Sequence, residues 1–141
     1  MGRKGDGKRN RKASPTEEIF SGLTEPPNYE ESTPKFCLHH LQSGYGVTEL
    51  STEQRADFAL ALEKRRSMTW HQLYAAPHLG LGYETIGSSQ FHPTIPRAFQ
   101  DTPKFIVFRY SGKLPMAGVR VRDVFQIVWI ERTFNDLYNH G

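Results

Sequence analysis

The sequence predicts a single α+β domain built on a mostly antiparallel sheet, and three observations carry that prediction. Two helical segments with clear start signals lie in the first half of the chain. A short apolar run precedes them, and the last third alternates in the manner of strands joined by tight turns. At 141 residues the chain is long enough for one buried core but not for two.

The composition is that of a globular chain. Hydrophobic residues make up 37% and charged residues 23%, with nine Phe, six Tyr and two Trp. Cys37 is the only cysteine, so no intramolecular disulfide can form, and its place in Phe36-Cys37-Leu38 reads as a small buried hydrophobe. No stretch approaches the roughly 18 apolar residues needed to span a bilayer. The basic start of the chain is not followed by an apolar run, so no secretory signal is expected and the expected location is cytoplasmic.

The net charge of +3 conceals a segregation. Residues 1–12 carry Arg3, Lys4, Lys8, Arg9, Arg11 and Lys12 against Asp6 alone, whereas residues 13–34 carry five Glu and no Lys or Arg. Residues 1–34 are therefore expected to form a disordered tail and linker, too poor in apolar groups to offset ordering entropy. The basic stretch can touch phosphate backbones without sequence preference, and the Glu17–Phe20 patch can form a helical turn that Pro26-Pro27 ends.

The ordered domain is expected over 35–141. Phe36 to Leu41 reads as a strand, and Gly44-Tyr45-Gly46 as a turn. Ser51-Thr52-Glu53-Gln54 has capping-box spacing and opens a helix whose inner face carries Phe58, Ala61, Leu62 and Arg65. Lys64-Arg65-Arg66 complements the dipole at its end. Thr69-Trp70-His71-Gln72 is a second capping box, opening a short helix that Pro77 stops, so the two helices form a hairpin. Residues 78–83 match no regular element. Residues 87–104, with Pro93, Pro96 and Pro103, read as a long loop. Three strands follow: Phe105–Tyr110, Ala117–Arg122 and Val124–Ile130, the last apolar on both faces and so expected to be covered on both sides. Thr133-Phe134-Asn135-Asp136 resembles the cap of one helical turn ending at Tyr138.

No standard catalytic motif is present. Gly80-Leu81-Gly82 is too short for a dinucleotide fingerprint. His39 and His40, adjacent on a strand, would face opposite sides, and His71, His78, His92 and His140 fit no zinc spacing, so no metal site is expected. Glu84, Asp101, Asp123, Glu131 and Asp136 are scattered. The more coherent set is basic and late: Arg109, Lys113, Arg120 and Arg122, followed by Arg132, Tyr138 and His140. On neighbouring antiparallel strands Arg109 and Arg120 can lie side by side. A guanidinium cluster suits a phosphate or a developing phosphorane, and a nearby His or Tyr can move a proton between a 2′-hydroxyl and a leaving 5′-oxygen. The same pattern also suits a solvated, charged sheet face.

This order of elements resembles the RelE/ParE-like toxins of bacterial toxin–antitoxin systems. The resemblance rests on Lys35–Leu41, on the hairpin Ser51–Ala76 with Met68-Thr69-Trp70 at its junction, and on Phe105–His140. In that last stretch it follows Phe108-Arg109-Tyr110, Gly118-Val119-Arg120, Phe125–Ile130 and Leu137-Tyr138-Asn139-His140. It implies an endoribonuclease that needs neither metal nor cofactor, an antitoxin partner, contact with RNA or the ribosome, and a site on one sheet face. Arg109 and Arg120 would stabilise charge, Tyr138 or His140 would transfer the proton, and Lys113, Arg122 and Arg132 would contact nucleic acid. The loop from Gly80 to Lys104 and the N-terminal extension depart from that family's compact plan. Two other readings stay open: a non-catalytic phage or mobile-element protein that binds a host protein or nucleic acid, and a DNA binder using His71 and Gln72.

Overall fold

The computed structural model describes residues 28–141. The expectations for the basic stretch, for Glu17–Phe20 and for Pro26-Pro27 lie outside the described residues.

Both helices start where the capping boxes predict. In α1, Thr52–Arg65, the Ser51 hydroxyl accepts the Gln54 N–H while the Gln54 side chain accepts the Ser51 N–H. In α2, Trp70–Ala75, Thr69 and Gln72 repeat the exchange. Each box satisfies backbone donors that the first helical turn leaves free.

The strands form one mixed sheet of five, in the order β1-β5-β4-β3-β2. They are β1 Lys35–Cys37, β2 Tyr83–Gly87, β3 Lys104–Ser111, β4 Leu114–Val121 and β5 Val124–Ile130. The three late strands are antiparallel neighbours, as expected. β1 adds to β5 in parallel, which makes the sheet mixed. The sequence predicts four strands, one fewer than the structure contains, because β2 carries no periodic pattern of its own. Its five residues pair antiparallel with the free edge of β3, a contact between segments that local pattern does not encode. β1 is also shorter than the expected Phe36–Leu41. The chain leaves β5 after Cys37, and His39 and His40 enter a turn, their rings edge to face at 4.8 Å, so they do not alternate on a strand.

The two sheet faces carry separate cores. On one, Phe58, Ala61, Trp70 and Leu73 from the helices pack on Phe108, Tyr110, Met116, Phe125, Ile127 and Ile130. On the other, Phe91, Phe99, Leu137 and Tyr138 from loops pack on Phe105, Val107, Ala117, Val128 and Trp129. β5 is thus covered on both sides, as its apolar run predicts. A bulge beside Ala117 and Gly118 leaves Val128 as an extra residue, which puts Val128 and Trp129 into the same core. Gly118 suits the close approach there, since a Cβ would lie 2.0 Å from the Gln126 carbonyl oxygen.

Arg65 is buried on the inner face of α1, where its spacing places it. It is only 1% exposed, and no carboxylate meets it among the described residues. Its guanidinium instead donates to the carbonyls of Ala61 (2.9 Å), Leu81 (3.0 Å), Arg109 (3.1 Å) and Gly80 (3.3 Å), over the Phe108 ring. Burial pulls its pKa down to about 10, still above neutral pH, so it remains a cation that ties α1 to the 80–81 loop and to β3.

Residues 28–34, which the sequence places in the linker, are held against the sheet. A 3-10 turn at Tyr29–Glu31 presents Glu30 to Arg120, and the Ser32 carbonyl accepts the Trp70 backbone N–H. The 87–104 segment lacks long regular elements, as expected, but contains 3-10 turns at Ser88–Gln90 and Arg97–Phe99 that deliver Phe91 and Phe99 to the second core. The helical turn expected over 133–138 does not form. Asn135 takes a left-handed φ of 74°, which breaks the helical path and leaves a turn closed by the Asp136 N–H on the Thr133 carbonyl. Among the described residues no helix is long and apolar enough to cross a membrane.

Candidate functional site

Beyond β5 the chain turns back over the loop-covered face, and this return builds a polar cluster. Glu131, the first residue after β5, is fully buried. Its carboxylate accepts the Leu137 N–H at 2.9 Å and faces His140 Nε2 at 3.0 and 3.2 Å. The His140 ring is 5% exposed and stacks at 4.3 Å on both Phe134 and Tyr138. The Asn135 side chain accepts the His140 backbone N–H, so the imidazole is fixed from every side but one. Among the described residues Nδ1 has no hydrogen-bond partner. A carboxylate on Nε2 fixes the ring's orientation, the arrangement used to prepare histidines for proton transfer.

Arg109 lies beside this pair. Its Nη2 meets the Glu84 carboxylate at 2.7 Å, and its Nη1 donates to the Tyr138 hydroxyl at 3.3 Å. The side chain is 10% exposed, and its Nε is buried without a partner. Burial raises the Tyr138 pKa, and the neighbouring Arg109 cation opposes that rise without cancelling it. Tyr138 is therefore a neutral phenol at physiological pH, fit to donate a hydrogen bond and unfit to act as a base. Between the two proton-transfer candidates read from the sequence, the chemistry favours His140.

A cleft of about 430 Å³ opens over the cluster, lined by His78, Glu84, Arg109, Lys113, Phe134 and His140 among others. A second cleft of about 250 Å³, between α1 and the 79–81 loop, shares Leu79 and Arg109 with the first. Three basic side chains besides His140, those of His78, Arg109 and Lys113, thus face one concavity, with Glu84 as the only acidic side chain among the described residues of its wall.

The structure brings together four of the seven residues selected from sequence: Arg109, Tyr138 and His140 in the cluster and Lys113 on the cleft wall. It separates the other three. Arg120 lies on the opposite face, over the Trp70 ring at 4.5 Å and paired with Glu30 at 2.7 Å. The expectation that Arg109 and Arg120 lie side by side is therefore corrected. Ser111 pairs with Leu114 across the β3–β4 turn, and that register would put both arginines on one face. A bulge then shifts Arg109 onto Pro115, and the one-residue slip turns the two arginines to opposite faces. Arg122 sits in the β4–β5 turn, at the other end of the sheet, with a φ of 59°. Arg132 is exposed, and its carbonyl accepts the Gln54 side chain.

Two members of the cluster, Glu84 and Glu131, were scattered carboxylates in the sequence. Glu131 carried one usable signal: it directly follows the wholly apolar half of β5, where an acid is poised to be buried. Glu84 carried none, because its place depends on the β2–β3 pairing. Among the described residues no three His, Cys, Asp or Glu side chains converge as metal ligands. No family model, curated protein or solved structure matches this chain.

Proposed function

We propose that the cleft over His140 cleaves RNA, in the manner of a toxin-like endoribonuclease. The observation that carries this reading is the buried Glu131–His140 pair opening into a cleft walled by Arg109 and Lys113. His140 Nδ1 takes the proton of a ribose 2′-hydroxyl, whose oxygen attacks the adjacent phosphorus. The P–O5′ bond breaks, and the same imidazole returns the proton to the leaving 5′-oxygen. Arg109 and Lys113 hold the charge that develops on the phosphoryl oxygens, and Tyr138 steadies Arg109. The products are a 2′,3′-cyclic phosphate and a free 5′-hydroxyl. An antitoxin partner would act by covering this cleft.

The test is cleavage of a defined single-stranded RNA by the purified chain, with the termini of the products identified. His140→Ala is expected to lower the rate about 10²–10⁴-fold, the usual worth of a positioned acid–base group. Glu131→Gln keeps the shape but removes the charge behind the ring, and lowers the rate while shifting its pH profile. Arg120→Ala, on the far face, leaves cleavage unchanged. Full cleavage by His140→Ala overturns the reading.

A second reading is favoured by the apolar rim of the two clefts, where Leu60, Leu79 and Phe134 are 48%, 63% and 45% exposed. Such a rim suits docking of a protein partner without catalysis. A wild-type chain that leaves RNA intact and is captured by a specific protein through Leu79 supports it.

A further inference from the structure

Phe134 is poorly explained by packing. It is an aromatic ring 45% exposed, at the tip of the 133–136 turn, beside the cations of the cleft. The turn that carries it is pinned. The Asp136 N–H closes it on Thr133, His92 Nδ1 meets the Asp136 carbonyl at 3.2 Å, and the His92 N–H donates to the Leu137 carbonyl. One face of the ring lies on His140, which in turn lies on Tyr138, each pair at 4.3 Å and 24°. The three rings form a short column with the imidazole in the middle. The outer face of Phe134 meets no other ring among the described residues, so the column has one open end, and it opens at the cleft.

We infer that the outer face of Phe134 is a stacking platform for a single unpaired nucleobase. This rests on the proposed function and names its substrate class as single-stranded RNA. A rigid aromatic face adds a π-surface that any base can meet, with little ordering cost because the turn already holds it. Arg109, Lys113 and His78 on the same wall suit the phosphates flanking that base. A base stacked as the fourth ring of the column is separated from His140 by Phe134, so the 2′-hydroxyl whose proton His140 accepts belongs to a neighbouring nucleotide of the same strand. Duplex RNA cannot present an unstacked base to the column, so it is excluded by shape.

The test uses the full chain and a 2′-O-methyl RNA oligonucleotide carrying one 2-aminopurine, which cannot be cleaved through its 2′-oxygen. Binding by the wild type is expected to quench the 2-aminopurine fluorescence. Phe134→Ala and Phe134→Leu are expected to weaken binding about ten- to hundredfold and to remove the quench, the range set by one base–aromatic stack. Phe134→Trp is expected to retain both. Leu keeps the apolar bulk, and urea midpoints confirm that each variant is folded. Unchanged affinity in Phe134→Leu, or equal affinity for the matching duplex, overturns the inference. Cleavage of unmodified RNA, measured in parallel, separates the two claims. Cleavage that does not depend on Phe134 overturns the platform alone. Phe134-dependent binding without cleavage supports the platform and overturns the ribonuclease.

Discussion

The two faces of the sheet are built from opposite materials. One is covered by α1 and α2, whose caps and inner faces are local features of the chain. The other is covered by loops from 88–104 and 131–140, which deliver Phe91, Phe99, Leu137 and Tyr138 one at a time. Both faces bury a complete core, yet only the loop-covered face carries the polar cluster. Helices place side chains at fixed spacings and satisfy their own backbone. Loops must find partners for each backbone group, and in doing so can converge an acid, an imidazole, a phenol and a guanidinium on one spot.

The comparison is broken most forcefully through its two tryptophans, each fully buried, one per face. Trp70→Ala and Trp129→Ala are each expected to cost about 3–5 kcal/mol in urea unfolding. They differ in what else they disturb. Trp129 stacks on Phe91, which packs against Tyr138, so its loss also loosens the cleft over His140. A Trp70 variant that lost cleavage as fully as the Trp129 variant, while still folded, would erase the functional distinction between the faces.

A smaller effect separates the two tyrosines that bond near Glu131 and Arg109. Burial pushes Tyr110, on the helix-covered face, up to about 12, with the Glu131 and Asp57 charges adding to it. Burial also raises Tyr138 on the loop-covered face. A raised phenol is favoured neutral in the fold, so its contribution is complete below the unfolded value near 10 and is lost as pH rises toward 12. Urea midpoints recorded from pH 8 to 12 are expected to fall through that window. Tyr110→Phe shallows the fall and costs about 1 kcal/mol at neutral pH for its lost hydrogen bond to the Glu131 carbonyl.

The smallest effect is the most local. Ser51→Ala removes one half of the α1 capping box and is expected to cost about 1 kcal/mol, read as a shift in the urea midpoint. Cleavage is expected to be unchanged, because the backbone N–H at position 51 still holds the Gln54 side chain, whose amide donates to the Arg132 carbonyl.

That asymmetry also governs what could be read from the chain. Ser51 and Thr69 announced their helices because a cap needs only residues three positions apart. The apolar run of β5 announced a strand covered on both sides. Arg109, Tyr138 and His140 were legible as a late cluster of suitable chemistry. Their geometry was not, because it depends on register. One bulge between Arg109 and Ser111 decides which face Arg109 shares, and no residue there signals the slip. Glu84 depends on a strand pairing between distant segments, and β2 is too short to show a period of its own. Spacing places Arg65 on the inner face of α1, but nothing in the helix says what meets its charge there. Four backbone carbonyls meet it, and three of them, those of Gly80, Leu81 and Arg109, belong to a loop and a strand that the helix does not encode.

The parallel pairing of β1 with β5 has a consequence for the life of the newly made chain. Lys35 finds its partner only at Val124, and Glu131 and His140 come later still. During synthesis, α1 and α2 emerge early and wait with their inner faces uncovered, while neither the sheet nor the Glu131–His140 pair exists. A fragment ending anywhere before Ile130 therefore lacks both the complete sheet and the Glu131–His140 pair. The Glu131–His140 pair forms only once the segment beyond β5 has folded back, so the order of the sequence itself delays the cluster until the sheet can close.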